Sequence, residues 1–328
     1  MTASLADPAP FQTGRAPRGG GSPAPVPALS GAGERWFSTT VKAAAAAVAL
    51  VLAGVLIFLA VRGGPSLVAG EGDLPAHAVS FPQLAGPLVF GSAWVAVIAL
   101  AFAALPAIGV ALAATIYAPS PRFGRALAAV LDLLAAVPSV VFGLWGLMVL
   151  APLMGPVDRW LAQHWGWLPF FAGPPSATGR TALTAGLVVA VMILPITAAM
   201  CRESFALTPP ALMEAAYALG ATRWEMVRTA VLPTARSGMV AGGMLGLGRA
   251  LGETMAVAMV LSSTPFLVSV NVISSDNPAT IAAFIASTFP ESHGAQVGAL
   301  IGLGLVLFGV SLLVSIAGRR IAGRRMTV

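Results

Sequence analysis

Lysine is nearly missing from this chain: Lys42 is the single example among 18 lysine and arginine residues. A Walker-type phosphate loop needs its lysine at the end of a glycine-rich turn, so the chain holds no such loop and is not expected to hydrolyse ATP itself. Cysteine is as scarce, and Cys201, standing alone, can form no internal disulfide. His77, His164 and His293 are far apart and lack the HExxH spacing, which argues against a zinc site. Charge is thin throughout, at 9% of residues against about 25% in ordinary soluble chains. What fills the space is apolar: 57% of residues are hydrophobic and the mean hydropathy is +0.88. Such a composition demands a membrane, and membrane lipid is the first expected partner. The net charge of +6 would also fit nucleic acid, but the positive residues sit beside apolar runs rather than in a basic face with interleaved aromatics, so nucleic acid is not an expected partner.

Residues 1 to 34 are rich in Pro, Gly and Ala and can build no packed core. About 19 uncharged residues follow Lys42, too long a run for a signal peptide, so Val41 to Val61 is read as a retained anchor span. Further apolar runs place spans at Leu88 to Tyr117, Ala126 to Leu150, Thr181 to Met200, Gly238 to Leu261 and Val297 to Ala317. Pro106, Pro138 and Pro195 fall inside these spans and predict kinks. With the N-terminus inside, only Arg62, Arg159 and Arg180 of the 18 basic residues fall outside and Arg249 lies within a span, leaving 14 on the inner side. That asymmetry places both termini in the cytoplasm. The segment Leu153 to Arg180 is then external, and Trp160, Trp165 and Trp167 fit an interfacial belt better than substrate contact.

One loop between spans reads as soluble helix-turn-helix. Thr208 is a candidate cap for a helix opening at Pro209, with Leu212, Ala215, Ala216 and Leu219 as its apolar stripe and Gly220 as its stop. Thr222 and Glu225 then form a capping box for a second helix, which Pro233 ends or bends. Any cytoplasmic loop can hold two amphipathic helices. However, the stretch EAAYALGATRWEMVRTAVLP from Glu214 to Pro233 resembles the EAA loop of ABC importer permeases. The continuation GMVAGGMLGLGRALGETMAV from Gly238, with PSVVFG at Pro138 to Gly143, is similar to permeases of phosphate-specific ABC importers, of the PstC rather than the PstA type. The likeness runs from about Gly86 to Arg320.

The resemblance implies an all-α membrane protein with six transmembrane helices, in the type I ABC importer permease fold with a cytoplasmic EAA coupling loop, in a bacterial inner membrane. Residues 1–40 are then a disordered cytoplasmic N-terminus, 41–61 an anchor helix and 62–86 a periplasmic loop. A permease core follows over 87–320, with the EAA loop at 201–237, and a cytoplasmic tail over 321–328. The implied partners are a second permease subunit of PstA type, a cytoplasmic ABC ATPase dimer, and a periplasmic or lipid-anchored phosphate-binding protein. Glu214, Ala215, Ala216, Gly220, Arg223 and Pro233 are the expected ATPase-coupling residues. No catalytic residue, metal or cofactor is expected.

Arg249 and Glu253 most need a functional explanation. A charge in mid-span costs roughly 2.5 to 3.5 kcal/mol, so something must compensate it. Glu253, four residues on, would share its helical face; the pair is either an internal ion pair or a lining of the substrate pathway, where a guanidinium matches phosphate oxygens. Ser139, with no histidine on its side of the membrane, suits hydrogen bonding or substrate passage rather than nucleophilic attack. Asp132 fits an interfacial pair with Arg125 better than a transport role. Gly238, Gly242 and Gly246 form one small-residue stripe and Gly248 and Gly252 another, each allowing helix contact in a dimer, although glycines are frequent in spans. Import of another oxyanion, such as molybdate, sulfate or phosphonate, is the alternative within the class. An ATPase-independent channel or carrier would not need the EAA helices, and an intramembrane enzyme lacks its nucleophile and metal.

Overall fold

The computed structural model describes residues 31–70, 73–118 and 120–323. The Pro- and Gly-rich stretch up to residue 30 and the tail from residue 324 lie outside the described residues. The chain divides into two units, one ending at Gly54 and the other starting at Val55. The first unit is helix throughout its described part, because helix α1 spans Gly31–Gly63 and so begins before the expected Val41. Thr39 and Thr40 explain part of the extension: their hydroxyls donate to the carbonyls of Arg35 and Trp36 one turn back, at 2.7 and 2.9 Å, so these polar side chains need no water to continue the helix.

In the second unit a long pair of helices forms the centre, α2 over Phe81–Thr115 and α6, further along, over Ala182–Ala206. Ala96, Ala99, Ala103 and Ala107 recur on one face of α2, all fully buried, opposite Ala185, Val189 and Ile193 of α6. Small side chains let the backbones approach, which in lipid is the main source of helix association. Gly186 is one such place, since a Cβ there would collide with Ile98. Pro87 and Pro106 lie within α2 and Pro195 within α6 without ending either helix.

The expected span from Ala126 to Leu150 is two helices. Helix α3 runs over Pro121–Ala136, opened by Ser120, whose hydroxyl accepts from the Phe123 amide. It closes at Val137, which stands before Pro138 and takes extended backbone, φ −67° and ψ 129°. The Pro138 ring clashes with a helical residue before it, so the chain breaks where a kink was expected. A new helix then runs as α4, Ser139–Trp145, through a π-turn at Gly146–Leu150 into α5, Ala151–Trp165. The segment expected to be external from Leu153 therefore begins as helix, with Trp160 and Trp165 on α5.

After α6 come α7 at Pro210–Ala218, α8 at Arg223–Met226, a π-turn at Val227–Val231 and α9 at Leu232–Leu251. Both π-turns precede a proline, Pro152 in one case and Pro233 in the other. The Ala151 amide bonds back to Gly146 and the Leu232 amide to Val227, five residues each. A proline in a regular helix drives its ring into the carbonyl four residues earlier; a widened turn moves that carbonyl aside and the helix continues. Pro233 thus neither ends nor isolates the second loop helix, which runs directly into α9.

The expected span Gly238 to Leu261 is also broken, since α9 stops at Leu251 and α10 occupies Met255–Val260. Beyond it the chain folds back through an irregular segment to α11, Ile281–Thr288, and then α12, Ala295–Gly323. Two short strands, β1 at Ser263–Thr264 and β2 at Asn277–Pro278, pair in parallel. Asn277, 0% exposed, holds this segment together. Its amide donates to the carbonyls of Ser262 at 2.9 Å and Ser274 at 3.0 Å, and its oxygen accepts from the Ala182 amide at 2.9 Å. Asn271 plays a similar part, accepting from the Ile273 and Ser274 amides and donating to the Ala172 carbonyl. Irregular backbone survives among apolar helices only when its polar groups are satisfied in this way. Among the described residues five helices are long and apolar enough to cross a membrane; α9, diluted by Arg236, Arg249 and its glycines, is not one of them.

Candidate functional site

The corner between α7 and α8 is fixed by local chemistry at both ends. Gly220 has φ +82°, the left-handed region where a side chain is strained. Its amide donates to Tyr217 at 2.9 Å and the next amide, Ala221, reaches back to Ala216 at 3.1 Å, the paired bonds of a Schellman stop. Two residues later the expected capping box is complete: the Thr222 amide and hydroxyl both donate to Glu225 Oε2 at 2.7 Å, and Thr222 Oγ1 accepts from the Glu225 amide. The Thr222 amide, followed by its hydroxyl, holds the Glu225 carboxyl below its ordinary range.

The start of α7 differs from expectation. Pro209 is the cap, Pro210 the first helical residue, and Thr208 is buried with its hydroxyl unpartnered. Proline at the cap and at the first helical position sets the backbone without a hydroxyl cap, because the missing N–H groups would have had no helical partner there. The apolar stripe is also turned. Met213 and Ala216 pack against a cluster of Ala111, Leu112, Cys201, Phe205, Met226, Val227 and Val231, whereas Leu212 and Ala215 face outward and Leu219 is 89% exposed. Glu214 and Pro233 are exposed as well. Arg223 lies 5.2 Å above the Tyr117 ring, a cation–π contact that ties the corner to the chain just beyond α2. The corner is thus anchored on one side by buried contacts and presents Leu207, Leu212, Leu219 and Trp224 on the other.

Arg249 and Glu253 do not share a helical face, because α9 ends between them. Gly252 caps α9, and Glu253, 9% exposed, turns inward and accepts from the Ala256 amide at 3.2 Å, opening α10. Glycines at 248 and 252 weaken the helix at this point, and the Glu253 carboxylate satisfies an amide the break leaves free. No ion pair joins the two side chains among the described residues. Arg249 is exposed in the last turn of α9, where the helix dipole contributes about 0.3 to 1 kcal/mol, less than the roughly 2.5 to 3.5 kcal/mol of placing a charge in lipid.

Arg249 instead lines a cavity of about 410 Å³ with Gly248, Met244 and Leu245 of α9, Ile196 of α6, and Ser315, Gly318 and Arg319 of α12. By sequence Arg319 is only a topology signal beside an apolar run; nothing in its spacing from Arg249 reveals that α12 returns beside α9. Gly318 eases the approach, since a Cβ there would meet Met244 Cγ at 2.5 Å. Ser139 and Glu253 are not among the lining residues. Ser139 opens α4 and Glu253 stands just before α10, and these two helices pack so closely that a Cβ on Gly143 would meet the Ala256 backbone at 2.9 Å.

The two glycine stripes separate in the same way. Gly238, Gly242 and Gly246 lie against Ser204, Met200 and Thr197 of α6, so this stripe is used inside the chain rather than for a dimer. Gly248 has nothing close to it and Gly252 only its own helix backbone. Asp132 and Arg125 are both exposed, and Arg125 bonds to the Pro121 carbonyl, not to Asp132.

Long apolar helices, with a rigid helical corner inserted between α6 and α9, make this a multi-pass membrane protein. Comparison with known proteins specifies the class: residues 106–327 match the binding-protein-dependent transport system inner membrane component, and the chain belongs to that family. It is 43% identical to the phosphate transport system permease protein PstC 2 of Mycobacterium tuberculosis and of Mycobacterium bovis, over 90% of this chain and 93% of either relative. The phosphate transport system permease protein PstC of Mesorhizobium japonicum is 36% identical over 85% of this chain and 86% of its own. Among solved structures, an inward-facing MetNI methionine ABC transporter matches with a TM-score of 0.53 at 17% identity, over 73% of this chain and 95% of that one. A bacterial ABC transporter for import of the acidic polysaccharide alginate matches at 0.51 and 16%, over 89% and 99%. At these identities the structures speak for the fold alone.

Proposed function

We propose that this chain is the membrane-spanning subunit of an ATP-driven importer of inorganic phosphate. The observation that carries the reading is its relatedness, along nine-tenths of its length, to proteins named for phosphate transport. The cavity chemistry is in accord. Arg249 and Arg319 line one space, and planar guanidinium groups match the oxygens of a tetrahedral anion better than the point charge of an ammonium. Glu253 and Ser139 act next to this pathway, Glu253 by fixing the break that ends α9 and Ser139 on the helix packed against α10.

ATP is hydrolysed by a separate pair of cytoplasmic ABC ATPases, which the α7–α8 corner contacts through Leu212, Leu219 and Trp224, with Glu214 and Ala215 on the same exposed side. Because α8 continues through the π-turn into α9, movement of the corner moves the helix that carries Arg249. A second permease of PstA type completes the pathway beside Gly248 and Gly252, and a phosphate-binding protein outside delivers the anion. Both termini and the corner face the cytoplasm, with α9 completing six crossings; residues 41–61 act as the anchor and 87–320 as the permease core.

The test is uptake of radiolabelled phosphate in cells lacking other phosphate systems, with excess sulfate or molybdate as competitors. Uptake that depends on this chain and resists both competitors is expected. Competition by either anion at phosphate-like concentrations would reassign the substrate.

A further inference from the structure

A second basic cavity lies away from Arg249. It has a volume of about 440 Å³, in the range of ligand sites, and is bounded by the end of α2, the start of α3 and the last turns of α6. Arg125 and Arg202 line it together with Thr115 and Ser120, and no acidic residue does. The hydroxyl of Thr115 donates to the Ala111 carbonyl, while Ser120 only accepts, from the Phe123 amide, and keeps its proton to donate. Arg125 uses its Nε on the Pro121 carbonyl, which aims the rest of the guanidinium without neutralising it. Two guanidinium groups and a free hydroxyl around one space form a receptor for a phosphoryl anion.

The surroundings distinguish a lipid from a soluble anion. Helix α3 turns Pro121, Gly124, Arg125 and Ala128 toward the cavity and exposes Phe123, Val130 and Leu133 on its opposite face. A helix with basic residues at one end and outward apolar side chains fits the boundary between headgroups and acyl chains. A helix so oriented sets the cavity at headgroup depth, where lipid phosphates are concentrated. We infer that this cavity binds the phosphate of an anionic phospholipid, with Arg125 and Arg202 on the headgroup, while Phe123, Val130 and Leu133 on the other face of α3 hold the helix at the headgroup boundary. The cavity adjoins the coupling corner: Ala118 lines it, and the neighbouring Tyr117 is the ring beneath Arg223. A bound headgroup therefore steadies the segment on which the corner rests.

The inference rests on the proposed transport reading only for the leaflet, the cytoplasmic one. Binding to the purified chain is read without transport, so failure of phosphate import and failure of this site are separate results. Native mass spectrometry of the full-length chain in uncharged detergent, with added phosphatidylglycerol or phosphatidylcholine of the same acyl chains, provides the test. Phosphatidylglycerol should bind at roughly tenfold lower concentration. The double change Arg125→Gln, Arg202→Gln should remove that preference, Arg125→Lys with Arg202→Lys should keep part of it, and Arg122→Gln, outside the cavity, should leave it intact. Equal binding of the two lipids by the unmodified chain, or an undiminished preference in the glutamine variant, overturns the site. Displacement of phosphatidylglycerol by inorganic phosphate, but not by an equal concentration of chloride, overturns the lipid assignment in favour of the soluble anion.

Discussion

Among the described residues Arg249 has no carboxylate partner, and that alters what its replacement should do. An internal ion pair with Glu253 would make the two positions rescue one another, as coupled residues do. In this structure one side chain lines a cavity and the other caps α10, so their effects on stability should simply add. Arg249→Lys should retain part of the phosphate uptake and Arg249→Ala almost none, while the Arg249→Ala, Glu253→Ala double variant should be no more active than either single one. Radiolabelled uptake normalised to membrane level measures this; recovery in the double variant would restore the ion pair. Asp158 is a second residue that sequence reading passed over. It lies on α5 at 0% exposure, and neither carboxylate oxygen has a partner among the described residues. A buried carboxyl with no partner is destabilising, whether it holds its charge or must take up a proton, and a permanently neutral amide of the same shape is no worse. Asp158→Asn should therefore leave the melting temperature of the purified chain unchanged or raise it. A fall of several degrees would mean that the carboxylate is held by something that requires its charge.

Among elements, the α7–α8 corner and the segment after α10 depend on opposite kinds of residue. At the corner a backbone requirement dominates. Gly220→Val places a β-branched residue at φ +82° in open space, so no clash contributes and the left-handed strain of about 1 to 2 kcal/mol stands alone. The chain should still insert, while co-purification with its ATPase and phosphate uptake both fall; normal values of both would separate the corner from coupling. Glu225 adds a pH dependence with a defined sign. Its folded value is lowered, so the capping box is fully formed above the ordinary glutamate value of 4.5 and is lost as pH falls through the depressed value. Amide exchange at Thr222 should be protected at neutral pH and lose protection only in that acidic range; loss of protection near pH 6 would contradict the assignment. In the segment after α10, side-chain hydrogen bonds dominate instead. Asn277→Ala removes the donor shared by the Ser262 and Ser274 carbonyls and the acceptor of the Ala182 amide, each buried group costing about 1 to 3 kcal/mol when left unpaired. A thermal denaturation scan should show a loss of about 3 kcal/mol or more, and a loss under about 1 kcal/mol would show that water replaces these bonds.

For the whole molecule, the proposed orientation has a direct check in its cysteine content. Cys201 is buried, so a cysteine at the exposed Ile321, near the end of α12, would be the reactive thiol. In intact cells Ile321→Cys should resist a membrane-impermeant maleimide and should label only after the inner membrane is opened. Labelling in intact cells would reverse the topology.

Composition alone required a membrane, and local chemistry alone fixed the corner: the Gly220 stop and the Thr222–Glu225 box involve residues within five positions of one another, and both are legible without knowing anything distant. The orientation proposed from the arginine count rests on local chemistry too, since charge beside an apolar run acts locally. The broken spans were partly legible. Pro138 marked its site, but hydropathy averages over a window and treats Val137–Pro138 and Gly252–Glu253 as interior when backbone geometry makes them ends. What no spacing rule could supply was the return of α12 beside α9, which puts Arg319 into the cavity of Arg249, and the meeting of Arg125 with Arg202 from different helices. Nor could it decide which glycine stripe is used at home: Gly238, Gly242 and Gly246 are spent on α6, and only the packing of that helix shows it. Periodicity states which residues share a face, and only the tertiary structure decides what that face meets.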